Sequence, residues 1–213
     1  SVSQKLKAEW QIVETLRPTA AAPTPEYVQA MSGTPEEQWQ VGKKYRYGRG
    51  VEKSYEEAFK WFRSAAQKGH AIAQRDLGTM YRRGLSIKKD QEEAVKWFRL
   101  SANQGYAKAQ RDLGIAHQFG RGAPKDEIEA VRWYRLAAEQ GFPEAQTNLG
   151  LMYGRGQGVE QDYAEAIKWY RLAAEQGLAQ AQHNLGVMHG RGQGAVKDYI
   201  DAIKWFRLAA EQG

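Results

Sequence analysis

The dipeptide Leu-Gly recurs at Leu77-Gly78, Leu113-Gly114, Leu149-Gly150 and Leu185-Gly186, 36 residues apart each time, with Val41-Gly42 as a weaker first copy. Trp61, Trp97, Trp133, Trp169 and Trp205 keep the same period. So do the closing glycines Gly69, Gly105, Gly141, Gly177 and Gly213, and the pair of columns Gly48/Gly50, Gly84, Gly120/Gly122, Gly156/Gly158 and Gly192/Gly194, where Ser86 replaces one glycine. These columns hold 19 of the 22 glycines, so the glycine is positional and is no linker signature. A fixed period of this length marks a repeat architecture, in which each unit buries its apolar face only against its neighbours. The chain reads as five copies, 34–69, 70–105, 106–141, 142–177 and 178–213, preceded by a segment 1–33 of different composition.

Each copy reads as two helices. The second opens at Ser54, Asp90, Asp126, Asp162 or Asp198, with Glu57, Glu93, Glu129, Glu165 or Asp201 three residues on, the pattern of a capping box. Ala166, Ile167, Trp169, Tyr170, Ala173 and Ala174 then form an apolar stripe at helical spacing, and Gly177 suits a left-handed C-cap. The first helix starts just after each closing glycine, most clearly at Thr34-Pro35-Glu36-Glu37. Glycine inside a helix costs about 1 kcal/mol relative to alanine. Its recurrence beside leucine predicts that two helices cross there too closely for a side chain.

The unit A-x-A-Q-x-x-L-G-x-x-Y-x-x-G-x-G, followed by D-Y-x-x-A-x-x-W-Y-R-x-A-A-E-Q-G and nearly complete over 143–177, resembles the Sel-1-like repeat, a relative of the tetratricopeptide repeat. The resemblance covers 34–213; the first copy departs most, with Trp39-Gln40-Val41 and Glu37, as suits an edge repeat. It implies an all-α, right-handed α/α solenoid of helix-turn-helix repeats and a role in assembling protein complexes. For bacterial members it implies a periplasmic or secreted setting before a cytoplasmic one.

Several chemistries are excluded or disfavoured. There is no cysteine, hence no disulfide, cysteine zinc site or cysteine nucleophile. No apolar run reaches the roughly 18–20 residues of a spanning helix. Gly-Arg-Gly-Gln-Gly at 154–158 and 190–194 lacks the preceding strand and terminal Gly-Lys-Ser/Thr of a phosphate loop and reads as an inter-helix loop. His117 and His189 share a packing column with Tyr45, Tyr81 and Tyr153, and His183 with His189 lacks the i, i+4 spacing of a metal pair. Trp-Phe and Trp-Tyr pairs read as core, not base-stacking platforms. Some Sel-1-like proteins have been linked to β-lactam chemistry, but an S-x-x-K site is not expected here. The expectation is a non-enzyme with no cofactor, no metal and no small-molecule substrate.

Function is then sought in the variable columns of the first helix, which tetratricopeptide relatives display on a concave face. By that analogy the exposed set in repeats one to three is Trp39, Lys43, Arg46, Tyr47, Arg75, Arg82, Arg83, Arg111 and Phe119. The counterparts in repeats four and five are smaller, apart from Arg155 and Arg191. Charge follows the same gradient: the repeats carry +3, +3, +1, −2 and +1 of the total +6. The expected partner is a protein or peptide, with an acidic segment or terminal carboxylate suiting the arginine forks. A spacer within a larger assembly is the alternative. Nucleic acid is a third reading, but interleaved acids argue against it. The columns are expected to stand apart from folding, so that Arg82→Glu, Arg83→Glu, Trp39→Ala and Phe119→Ala leave the fold intact.

At the N-terminus, Leu6, Trp10, Val13 and Leu16 predict an amphipathic helix over 3–16 that caps the first repeat, 17–25 reads as a Pro/Ala/Thr linker, and Tyr27, Val28 and Met31 suit a short helix. The last helix keeps Ile203, Trp205, Phe206 and Ala209 apolar like an interior copy. The expectation is a truncated array or an end covered by another molecule.

Overall fold

A computed structural model describes residues 30–212. The N-terminal helix 3–16 and the linker 17–25 lie outside the described residues. Pro35–Gly213 forms one compact unit. Its ten helices run α1 Pro35–Tyr47, α2 Tyr55–Gln67, α3 Ala71–Arg83, α4 Gln91–Asn103, α5 Ala107–Phe119, α6 Glu127–Glu139, α7 Pro143–Arg155, α8 Tyr163–Glu175, α9 Ala179–Arg191 and α10 Tyr199–Ala210. There is no strand among the described residues. Odd and even helices are the first and second members of five hairpins. Each even helix packs on its own odd helix and, up to α8, on the next one, which is the all-α solenoid that the repeat implies.

The local signals act as the sequence suggests, with one correction. Ser54 Oγ and the carboxylates of Asp90, Asp126, Asp162 and Asp198 accept the N–H three residues on. The reciprocal half of the capping box does not form. The N–H groups of these capping residues donate instead to the carbonyls of Tyr45, Tyr81, His117, Tyr153 and His189 in the preceding helix. The acids are therefore free to pair outward, as in Glu57–Lys60 at 2.8 Å and Glu165–Lys168 at 3.0 Å. The first helices end at Gly84, Gly120, Gly156 and Gly192 in the left-handed conformation. Ser86 adopts φ 59° in the column that elsewhere is glycine.

The Leu-Gly columns are the closest crossings. Leu77, Leu113, Leu149 and Leu185 are fully buried. A Cβ on Gly78 would lie 2.7 Å from the Phe98 ring, and one on Gly150 would lie 2.8 Å from Tyr170. At Gly114 it would run into Tyr134, itself fully buried and tied through its hydroxyl to Gln118 at 2.7 Å.

Successive hairpins are joined by a repeated amide link. Gln74, Gln110, Gln146 and Gln182 donate to the carbonyls of Ala66, Ala102, Ala138 and Ala174 in the previous hairpin at 3.1–3.3 Å. Each also accepts from Gln104, Gln140, Gln176 or Gln212 of its own hairpin at 2.7–2.9 Å. On α10 the interior pattern is uncovered: Ile203 is 59% exposed, where the equivalent Ile167 is 8%.

Gly114→Val forces a side chain into the Tyr134 ring, which has nowhere to move. It is expected to destabilise the chain by about 1–3 kcal/mol in urea or thermal unfolding. An unchanged midpoint would refute the close crossing.

Candidate functional site: the face of the first helices

Side chains of successive first helices bridge directly between α1 and α3 and between α3 and α5. The sequence reading overlooked the acids that do this. Asp76 Oδ2 accepts from the Trp39 indole at 2.9 Å, and Asp76 Oδ1 from Arg46 at 3.2 Å. One repeat on, Asp112 Oδ2 accepts from Arg75 Nε at 2.8 Å, and Oδ1 from Arg82 at 3.2 Å. Arg111 Nη1 approaches the same oxygen at 3.5 Å. The Asp112 side chain has no exposed surface and Asp76 keeps 13%.

Trp39, Arg46, Arg75 and Arg82 are therefore brought together, but as the outer halves of an internal acid–base ladder. Burial opposes the charge on Arg75, yet Asp112 together with Asp76 and Tyr106 outweighs it and its pKa is raised. Burial lowers that of Arg82, with Arg75 and Arg83 adding repulsion and Asp112 pulling the other way. Both guanidiniums remain charged across any working pH. The expectation that these columns stand apart from folding needs correcting for these four residues. Removing one partner of a buried ion pair leaves an uncompensated charge.

The remaining candidates are more open. Lys43 sits 4.1 Å over the Trp39 ring. Tyr47 and Phe119 are 54% and 55% exposed, with Arg49 and Arg121 over their rings. Arg83 is exposed at the end of α3, in the column of Tyr47, Phe119, Arg155 and Arg191, all likewise exposed. Arg111 is half-buried.

A within-chain signal for the ladder existed. Arg-Asp-Leu-Gly occurs at 75–78 and 111–114, whereas the next two copies read Asn148-Leu149-Gly150 and Asn184-Leu185-Gly186. The acid appears only where the preceding repeat supplies Trp39 and Arg46, or Arg75 and Arg82.

Other motifs resolve as scaffold. Burial pushes the Tyr134 phenol up, and pushes that of Tyr170 to about 12, as expected of core aromatics. His117 and His189 are buried in their tyrosine column, while His183 is exposed. Ser86-Ile87-Lys88-Lys89 does carry the S-x-x-K spacing, which the sequence reading set aside. It lies in an exposed loop, so no helical turn stacks Lys89 over the hydroxyl.

The Sel1 repeat matches at residues 38–70, 71–106, 107–142, 143–178 and 179–213. The chain belongs to the Sel1 repeat family. It is similar to a Sel1 repeat protein from Oxalobacter formigenes, at 38% identity over 89% of this chain and 76% of that one, with a TM-score of 0.80. It is also similar to c5321, a protective antigen present in uropathogenic Escherichia coli strains, at 35% identity over 91% of this chain and a TM-score of 0.85. It spans only 41% of that protein's length. An immunity protein from Pseudomonas aeruginosa shares the fold at 21% identity over 91% of this chain and 68% of that one, with a TM-score of 0.57. A comparison with curated protein sequences gives no match. Sel1 repeat proteins are generally protein–protein interaction scaffolds. No helix among the described residues is long and apolar enough to cross a membrane.

Arg82 and Arg83 are neighbours with opposite duties. Arg82→Glu places a second carboxylate against buried Asp112 and is expected to destabilise by on the order of 3 kcal/mol. Arg83→Glu is expected to stay within about 0.5 kcal/mol, the range of surface changes. Equal urea midpoints for the two variants would overturn the ladder.

Proposed function

We propose that this chain is a non-enzymatic scaffold that docks a protein segment along the face of its first helices. One observation carries the reading. Tyr47, Arg83, Phe119, Arg155 and Arg191 form a column, one residue per repeat, that is exposed in every copy yet differs in character between copies. Exposed aromatic and arginine side chains are the types that anchor interfaces. None of them is buried or tied to an aspartate of the next repeat, in contrast to Arg46, Arg75 and Arg82; the two aromatics meet only arginines laid over their exposed rings. The spacer reading gains no specific observation. The nucleic-acid reading loses support, because Asp76 and Asp112 already neutralise part of the basic face.

A photo-crosslinking amino acid at position 47 or 119 is expected to yield protein adducts in cells that produce the chain. The same label at Leu136, on the opposite, even-helix side, is expected to give none. Tyr47→Ala with Phe119→Ala should reduce adduct formation from a label at position 83 by about tenfold, the loss of one good anchor. Adducts arising only from position 136 would place the partner on the other face.

A further inference from the structure

The acid ladder on the first-helix face stops at Arg111. By repeat equivalence, the residue that should receive Arg111 as Asp112 receives Arg75 is position 148, and it is Asn148. The second donor is also withdrawn. Gln118 stands where Arg46 and Arg82 reach forward. It turns inward instead, accepting from the Tyr134 hydroxyl at 2.7 Å and donating to Met152 Sδ at 3.3 Å. Arg111 Nε is left buried with no hydrogen-bond partner. Among the described residues its one ion contact is the 3.5 Å approach to Asp112, which already accepts from Arg75 and Arg82.

We propose that Arg111, beside Asn148, is a carboxylate-binding site, filled by an Asp or Glu side chain of a docked acidic segment. This rests on the first-helix face being the docking face and names the chemistry it recognises. The guest carboxylate takes the place that Asp112 and Asp76 hold one and two repeats earlier. Those internal acids are themselves side-chain carboxylates, which is why a side chain is the occupant and not a chain terminus. Charge complementarity supports it: Arg46, Arg75, Arg82 and Arg111 face only two aspartates, and Lys43 and Arg83 add to the excess. An unpaired buried guanidinium N–H is costly, so a fork-shaped acceptor that completes it gains on both counts.

The site makes its own competitor testable. Arginine Nε–Hε resonances of the full chain would be followed by NMR while acetyl-Glu-Glu-Glu-Glu-amide is added. Saturable movement of the Arg111 resonance is expected, absent with the tetra-glutamine peptide. Asn148→Asp supplies the missing acid from within. It should raise the thermal midpoint and weaken the glutamate peptide at least tenfold, while Asn148→Ala retains binding. Arg111→Gln should abolish the response in a chain whose amide spectrum is otherwise unchanged. Undiminished binding by Asn148→Asp, or equal movement with the glutamine peptide, would overturn the site. So would a response confined to a neutral peptide with a free C-terminal carboxylate. A glutamate peptide that moves Arg83 but not Arg111 also overturns the site while leaving the docking face standing; crosslinks only from the even-helix side sink the docking face instead.

Discussion

Each hairpin depends on one contact, an aromatic ring laid against a glycine. Phe62, Phe98, Tyr134, Tyr170 and Phe206 lie over Gly42, Gly78, Gly114, Gly150 and Gly186 so closely that a Cβ would overlap the ring. Helix-interior glycine is intrinsically unfavourable. Here it lets two helices approach to a distance at which Phe62, Phe98, Tyr134 and Tyr170 are buried, while Phe206 of the last hairpin stays partly exposed; interiors packed to that density tolerate no extra methyl group. With the crossing fixed, the alanine columns have little room for anything larger, and Gln74, Gln110, Gln146 and Gln182 each point at one carbonyl of the hairpin before.

Three kinds of polar link then join hairpins. The glutamine link is neutral and constant, present at each of the four junctions. A second link, from the arginine after the aromatic pair, reaches the next first helix at Arg99–His117 and Arg135–Tyr153. The aspartate ladder differs in kind. It is charged, appears at two junctions only, and occupies the face that faces a partner in the proposed reading. The chain thus spends part of its basic excess on itself. The free positive charge on that face is smaller than a residue count suggests.

The same residue column also changes role with position along the stack. Val95, Val131 and Ile167 are buried because a further first helix lies against them, and Ile203 is exposed without one. Burial in a repeat array is a property of the neighbour as much as of the residue, which is why an identical sequence pattern does not guarantee an identical environment.

The sequence by itself determined the architecture. Periodic Leu-Gly, Trp and closing glycines demanded stacked helical hairpins, because these residues encode backbone geometry and local packing, and both act within a few turns of chain. The close crossing at Gly114 and the capping of α6 by Asp126 were legible for the same reason. Only the tertiary structure decided what the polar residues do. Arg82 and Arg83 look alike in sequence, yet one is tied to a buried aspartate thirty residues away and the other is exposed. Whether a charge is free depends on what the next repeat places beside it, and that neighbour is set by stacking across the array rather than by the chain's local code.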